Sequence, residues 1–346
     1  MAVQQIGILT GGGDSPGLNA VIRAVVRKAV AHHHLKVLGI KEGWLGLMTG
    51  QVQELDLEAV SGILPKGGTI LGTSRTNPFK KPEGPQQILE NLKRFAIDAV
   101  IAVGGEDTLG VAQKLFQMGV KIVGVPKTID NDLGGTDYTF GFDTAVSIAT
   151  EAIDRLHTTA ESHHRVMVVE VMGRHAGWIA TFAGIAGGAD CILIPELPFD
   201  IDEVCEIIKK RQARGKTFSI VVVAEGAKPE EAKFEITQSD KVDEFGHIRL
   251  GGIGTVVGQE IEKRTGVETR VTILGHVQRG GTPTPFDRVL ATRFGIAAVD
   301  LALKGEFGKM VALEGNKIVA VDLAEAVAKL KTLDKEFYEI AKVFFG

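Results

Sequence analysis

Ala99-Val-Ile-Ala-Val-Gly-Gly-Glu-Asp-Thr108 compresses a strand, a turn and the start of a helix into one short stretch. Ala99–Val103 is apolar without alternation, which predicts a strand covered on both faces, as in a parallel sheet. Ile6–Leu9, Val37–Ile40, Ile122–Val125, Val166–Val171, Cys191–Ile194 and Ser219–Ala224 read the same way. Amphipathic segments lie between them. Leu18, Val21, Ile22, Val25 and Ala29 form an apolar stripe at helical spacing, with Ser15-Pro16 as a start signal. Thr139–Glu161, Ile201–Gln212 and Phe286–Leu303 also read as helices. Strands alternating with helices predict an α/β fold, and 346 residues are enough for two doubly wound α/β domains with mainly parallel sheets. No long linker separates the halves, so the chain is expected to cross between domains more than once.

Composition removes several classes. The hydrophobic share of 44% supports a core and argues against disorder. The balance of 39 basic against 43 acidic residues disfavours bulk nucleic-acid binding. No apolar run approaches the ~18 residues of a membrane span, and no signal-peptide pattern opens the chain. Two cysteines, Cys191 and Cys205, lack metal-ligand spacing and suit packing in a reducing, cytoplasmic compartment. Glycine is the outlier, at 43 residues or about 12% against a usual share of about 7%.

Twenty-one of these glycines fall in Gly11–Gly17, Gly104–Gly110, Gly134–Gly135, Gly173–Gly177, Gly187–Gly188 and the stretch Gly251–Gly281, read as turns that follow strands. Ligands of open α/β sheets bind at the carboxyl ends of strands, where glycine lets backbone N–H groups approach phosphate. The alternative at each position is a tight turn. Thr10-Gly-Gly-Gly-Asp-Ser-Pro-Gly-Leu-Asn19 matches neither a Walker loop nor the dinucleotide fingerprint. Glu106 and Asp107 would repel a phosphate unless a cation lay between, which points to Mg²⁺; the alternative is a pair of acids at a helix start. Pro126-Lys-Thr-Ile-Asp-Asn-Asp132 gathers Lys127, Thr128, Asp130 and Asp132, a set that fits attack of an alcohol on phosphorus; the alternative is an Asx turn. Arg165, Arg174, Arg270 and Arg279 adjoin strands or glycine turns and suit phosphate oxygens. Glu225 suits sugar hydroxyls, and His276 suits a phosphate or a core position. Lys228–Arg249 reads as a polar surface excursion.

From Gly7 to Leu303 these motifs, in this order, closely resemble the phosphofructokinase family, enzymes that phosphorylate fructose 6-phosphate on its 1-hydroxyl. The resemblance rests on Thr10–Asn19, Gly104–Thr108, Pro126–Asp132, Met172–Gly177 and Gly275–Gly281. It implies that Asp130 is the base for the hydroxyl proton, with Asp132 supporting a metal or its waters. Glu106 stands at a Mg²⁺-associated position, one methylene longer than the family's aspartate. Gly12 and Gly13 match backbone donors over the transferring phosphate, and Arg75 and Arg174 match charge stabilisers around it. Thr128, Met172, Gly173, Glu225, His276 and Arg279 match sugar-phosphate positions. Arg165 and Arg270 match arginines that reach the sugar phosphate of a neighbouring subunit, which implies a homodimer or homotetramer with shared sites.

Asp107 and Lys127 resemble the pyrophosphate-dependent branch, because ATP-using members carry glycine at the first position and commonly at the second. A side chain at 107 would crowd a nucleotide's α-phosphate and ribose. The expected activity is therefore reversible, Mg²⁺-dependent transfer from pyrophosphate in glycolysis or gluconeogenesis. An ATP-dependent phosphofructokinase is the alternative, and a non-catalytic sugar-phosphate-binding protein a remote one. Sedoheptulose 7-phosphate is a plausible further acceptor. The resemblance also implies a donor domain of residues 1–141 plus about 278–328, and a fructose 6-phosphate domain of 142–277 plus about 329–346. Arg23 and Arg27 match a basic effector pocket of bacterial members, but His157 stands where an arginine is expected, so strong nucleotide activation is not anticipated.

Overall fold

The computed structural model describes residues 3–230, 239–242, 248–249 and 252–346. Its strands are β1 (Gln5–Thr10), β2 (Lys36–Ile40), β3 (Val52–Glu54), β4 (Ala99–Gly104), β5 (Ile122–Pro126), β6 (Val166–Val171), β7 (Cys191–Leu193), β8 (Ser219–Ala224), β9 (Ser239–Val242), β10 (Ile248–Arg249), β11 (Thr269–Ile273), β12 (Lys309–Glu314) and β13 (Lys317–Asp322). The helices are α1 (Leu18–Val26), α2 (Trp44–Thr49), α3 (Gly84–Arg94), α4 (Glu106–Gln117), α5 (Phe142–His163), α6 (Trp178–Ala186), α7 (Ile201–Ala213), α8 (Ile253–Thr265), α9 (Pro285–Lys304), α10 (Leu323–Ala328) and α11 (Lys335–Lys342).

One sheet runs β13-β12-β5-β4-β1-β2-β3 and is parallel except at β3 and β13, its edges. A second, wholly parallel sheet runs β11-β6-β8-β7. The expected fold class is borne out. All seven strands read from sequence are present, and every residue of β4, β5, β6 and β8 is buried, the condition that made them legible as unbroken apolar runs. In the first sheet the chain leaves β1 for β2 on one side and reaches β4 on the other, a switch point of the kind that opens a crevice at the carboxyl ends.

Each sheet has its own core. Val21, Ile22 and Val25 of α1 meet Leu290, Phe294 and Ala298 of α9 over one face of the first sheet. Ile179, Ala180 and Ala183 of α6 meet Val169, Ile192 and Val222 of the second. Cys191 and Cys205 are buried, free and in the apolar layer, as expected.

The glycines divide more finely than the sequence reading allowed. Gly187 and Gly188 follow α6 and precede β7, Gly110, Gly254 and Gly258 lie inside helices, and Gly266 ends α8; none of these forms a strand-to-helix turn. At Gly187, Gly254 and Gly258 a Cβ would lie 2.6 Å from Ile153, 3.0 Å from Glu170 and 2.6 Å from Val271, so close packing of neighbouring elements favours the small residue there. Helix α5 begins at Phe142 rather than Thr139, because Thr139 is engaged by the preceding loop. Most of the Lys228–Arg249 excursion lies outside the described residues; Ser239–Val242 and Ile248–Arg249 pair as an antiparallel ribbon.

Gly104 closes β4 directly under Thr108, which is 2% exposed. A Cβ there would lie 2.3 Å from the Thr108 Cβ, with backbone on both sides that has little room to yield. Gly104→Ala is therefore expected to lower unfolding stability by about 1–3 kcal/mol, the usual cost of overpacking, read as a fall in the urea midpoint. An unchanged midpoint would contradict this packing.

Candidate active site

Three turns of the first sheet converge above its switch point. The turn after β1 is pinned by Gly11 N–H to Val103 O (2.9 Å) and Gly12 N–H to Ser74 O (3.0 Å), while the Thr73 hydroxyl donates to Gly12 O (2.6 Å). Gly12 takes φ +78°, a left-handed conformation costly for other residues. These bonds place Arg75 one residue from the turn. The turn after β4 puts Glu106 and Asp107 in the first turn of α4, the helix-start placement. The turn after β5 begins with Lys127, whose N–H donates to Gly104 O (2.9 Å). The Lys127 ammonium is buried and bonded to Gly13 O, so it lies under the glycine turn.

Asn131 separates the two aspartates and is buried at φ +51°. Its side-chain amide donates to Asp137 O (3.3 Å) and accepts from Thr139 N–H (3.0 Å). These bonds tie the loop to Asp137 and Thr139. The Asp130 N–H donates to the Thr128 hydroxyl (3.1 Å).

The second sheet supplies the opposite wall. Glu225 follows β8, with its N–H on Val171 O (2.8 Å), and Gly226 N–H reaches Gly173 O (3.1 Å). Met172 N–H donates to the buried Gln278 side chain (3.3 Å), joining the turn after β6 to the short 3₁₀ turn Gly275–Arg279. Arg279 then crosses to the first sheet and donates to Asp14 O (3.1 Å). A Cβ on Gly13 would sit 2.7 Å from its guanidinium, so the glycine makes room for that crossing.

The electrostatics show which groups face one another. Burial, then the charge of Arg279, lowers Lys127 to about 7, opposed by Asp14, Asp132 and Asp130. Burial pushes Asp130 upward against Arg279, Arg174, His175 and Lys127. Burial and then the charge of Asp130 push Asp132 upward as well, with Glu106 adding to the push and the Thr128 hydroxyl opposing it. Burial and the Asp130 charge raise Glu225 to about 7, with Arg174 opposing. One Asp130 oxygen is buried without a hydrogen-bond partner.

The structure therefore brings together Gly12, Gly13, Glu106, Lys127, Thr128, Asp130, Asp132, Met172, Gly173, Arg174, Glu225 and Arg279, with Arg75 and Asp107 beside them on the backbone. His276 sits exposed on the 3₁₀ turn. Arg165 and Arg270 are not brought in. Arg165 precedes β6, Arg270 is near the start of β11, and both ion-pair with Glu268 (Arg165 Nε at 2.7 Å). They lie at the opposite ends of strands whose carboxyl ends carry the cleft, about 15–20 Å away at ~3.3 Å per residue. The sequence reading missed Asn131 and Gln278, polar residues that hold backbone rather than ligand. Among the described residues, no group of three or more His, Cys, Asp or Glu side chains forms a metal cage.

The comparisons agree with this architecture. The model of the family "PFK: Phosphofructokinase" matches residues 5–302. The pyrophosphate–fructose 6-phosphate 1-phosphotransferase of Streptomyces coelicolor is 60% identical over 343 residues, covering 99% of this chain and 100% of that protein. ATP-dependent 6-phosphofructokinase 2 of the same organism is 54% identical over 341 residues, covering 99% and 100%. The crystal structure of Pichia pastoris phosphofructokinase aligns with a TM-score of 0.83 at 34% identity, over 99% of this chain and 36% of that one, so this chain spans about a third of the yeast polypeptide. The chain belongs to the phosphofructokinase family.

Proposed function

We propose that the protein transfers a phosphoryl group from pyrophosphate to the 1-hydroxyl of fructose 6-phosphate, releasing fructose 1,6-bisphosphate and phosphate, and that it runs in both directions. The observation that carries this reading is Asp130: a buried carboxylate with an unpartnered oxygen, set between Lys127 on one sheet and Arg174 and Arg279 on the other. Asp130 accepts the hydroxyl proton as the sugar oxygen bonds to phosphorus and the bond to the bridging oxygen breaks. Gly12 and Gly13 offer backbone N–H groups to the transferring phosphoryl group, and Arg75, Arg174 and Lys127 balance its charge. Such a reaction asks chiefly for position and charge neutralisation. Thr128, Met172, Gly173, Glu225, His276 and Arg279 hold the sugar phosphate. The first sheet with its helices, 1–141 plus about 278–328, is the donor domain; 142–277 plus about 329–346 is the sugar domain.

The residues fit Mg²⁺. Glu106 and Asp132 lie close enough for one charge to raise the other's proton affinity, and Mg²⁺ typically takes one or two carboxylates plus substrate phosphates rather than a protein cage. Glu106, with Asp132 behind it, would hold the ion. When bound it neutralises donor phosphate charge.

Asp107 supports pyrophosphate over ATP. It occupies the first turn of α4, where its carboxylate opposes the α-phosphate of a nucleotide laid over the glycine turn. The 54% identity to a protein named as ATP-dependent keeps the ATP reading as the alternative. Arg165 and Arg270 pair with Glu268 at the far end of the second sheet, away from this chain's own cleft, which supports the reading that they serve a neighbouring subunit's site in a homodimer or homotetramer. No described helix is long and apolar enough to cross a membrane, and two buried free cysteines support a cytoplasmic setting.

Three outcomes test this reading. Asp130→Asn is expected to cut kcat by about 10²–10⁴-fold while the KM for fructose 6-phosphate changes little, measured as fructose 1,6-bisphosphate formation. An unchanged kcat removes Asp130 as the base. Asp107→Gly is expected to admit ATP weakly and to cost about 1 kcal/mol of stability, since glycine replaces an acid favoured at a helix start. No ATP use or binding in that variant refutes the steric account. Lys127, near 7, is charged below that pH and neutral above it. The free enzyme's kcat/KM for the Mg²⁺–pyrophosphate complex is thus expected to fall as pH rises through about 7, and Lys127→Arg to move that fall upward. A fall at the same pH in Lys127→Arg assigns the limb to another group.

A further inference from the structure

The segment after α10 lies across both walls of the cleft. Lys331 N–H donates to Asp132 O (2.8 Å), and its ammonium donates to Thr136 O (2.9 Å) and Asp137 O (2.8 Å), all within the aspartate loop of the first sheet. Lys331 O accepts from the Trp178 indole (3.1 Å) at the start of α6, and its ammonium stands 5.3 Å from that ring's centre. Two residues on, Leu333 N–H donates to the Glu196 carboxylate (2.7 Å). The same carboxylate accepts Gly177 N–H at 2.9 and 3.1 Å, the last residue of the Met172–Gly177 turn. Gly134 comes so close to this segment that a Cβ there would meet Lys329 O at 3.1 Å.

We propose that residues 329–333, fastened by Lys331 and Glu196, form a strap that fixes the Asp130–Asp132 loop against the Met172–Gly177 turn, so that both are positioning residues for phosphoryl transfer. Neither touches the reacting atoms. The strap works because each anchor binds backbone: Lys331 holds three carbonyl-bearing positions of the aspartate loop or its flank through one residue, and Glu196 joins the strap to the turn that carries Arg174. The base and the charge stabiliser are thereby tied through a chain of short bonds, although their loops belong to different sheets. Small misplacements of groups in such a pair are costly, because rates fall steeply with geometry. Burial lowers the Lys331 amine to about 8, against the pull of Asp137 and Asp132, which accords with an ammonium enclosed by carbonyls rather than solvated.

The catalytic consequence rests on the proposed function, so the test carries one readout that does not. Lys331→Met keeps most of the side chain's length and removes both ammonium–carbonyl bonds; Glu196→Leu keeps about the same size and removes both acceptor oxygens. Each variant is compared with the unmodified protein in steady-state turnover, in thermal midpoint and in amide hydrogen exchange over 130–139 and 172–177. The strap predicts a fall in kcat of about 10–100-fold with the KM for pyrophosphate near its original value, faster exchange in both segments together, and exchange in β2 and α3 unchanged. The double variant should lose little more than the worse single one, because both residues act on one strap. Lys331→Arg should recover part of the kcat. Unchanged exchange in both segments overturns the strap. So does a loss of kcat in Lys331→Met that Lys331→Arg does not relieve, or one matched by faster exchange throughout the chain. If the unmodified protein turns over neither pyrophosphate nor ATP, the proposed function fails, and the exchange result alone decides whether the strap exists.

Discussion

The site depends on two carboxylates kept together where water is scarce. Asp130 and Asp132 are separated by one residue, and each disfavours the charge of the other. Burial adds to that cost. What offsets it is the ring of cations around them: Lys127 from the same loop, and Arg174 and Arg279 from the other sheet. The opposition is mutual, since Lys127 is itself driven toward neutrality by burial and by Arg279. Asp130, Asp132 and Lys127 are each pushed toward the neutral form by burial. In the proposed reaction a phosphoryl donor would bring negative charge to Lys127 and the arginines, and Mg²⁺ would bring positive charge to Glu106 and Asp132. The free cleft is therefore poised for substrates that carry both signs of demand, which a neutral sugar or a simple anion would not meet.

That arrangement requires two sheets held in register with each other. The doubly wound topology delivers each turn to the right edge but does not fix the distance between edges. Arg279 makes one crossing, from the 3₁₀ turn to the backbone of Asp14. The segment around Lys331 and Glu196 makes a second. The late strands β12 and β13 return the chain to the first sheet after the second is complete, so covalent crossings and hydrogen bonds act on the same boundary. A cleft of this kind can be stiff at its base while its exposed rim, which includes His276, meets solvent.

Much of this was legible in the sequence, and unevenly so. Strands β4, β5, β6 and β8 announced themselves because both faces are buried and their apolar runs are unbroken. Strands β11 and β13 did not, since exposed positions interrupt their patterns, and the buried run Met310–Leu313 of β12 is too short for periodicity to tell a strand from a helix segment. The site residues were legible where chemistry demands a residue type: Asp130, Lys127 and Arg174 sit in motifs that serve no common structural purpose. Asn131, Gln278, Glu196 and Lys331 were not, because each binds backbone, and nothing local says which distant carbonyl or amide a polar side chain will meet. The glycine excess pointed to the right edge of the first sheet. It also misled, since Gly187, Gly254 and Gly258 serve close packing of helices and turns away from any ligand.

In the proposed function, Asp107 and Lys127 adapt this phosphofructokinase cleft to pyrophosphate. The most direct measurement is the steady-state rate of fructose 1,6-bisphosphate formation by the full-length protein with Mg²⁺ and fructose 6-phosphate, supplied separately with pyrophosphate and with ATP at matched concentrations. Turnover is expected to be robust with pyrophosphate and little or none with ATP. Robust turnover with ATP and none with pyrophosphate would contradict the proposed function.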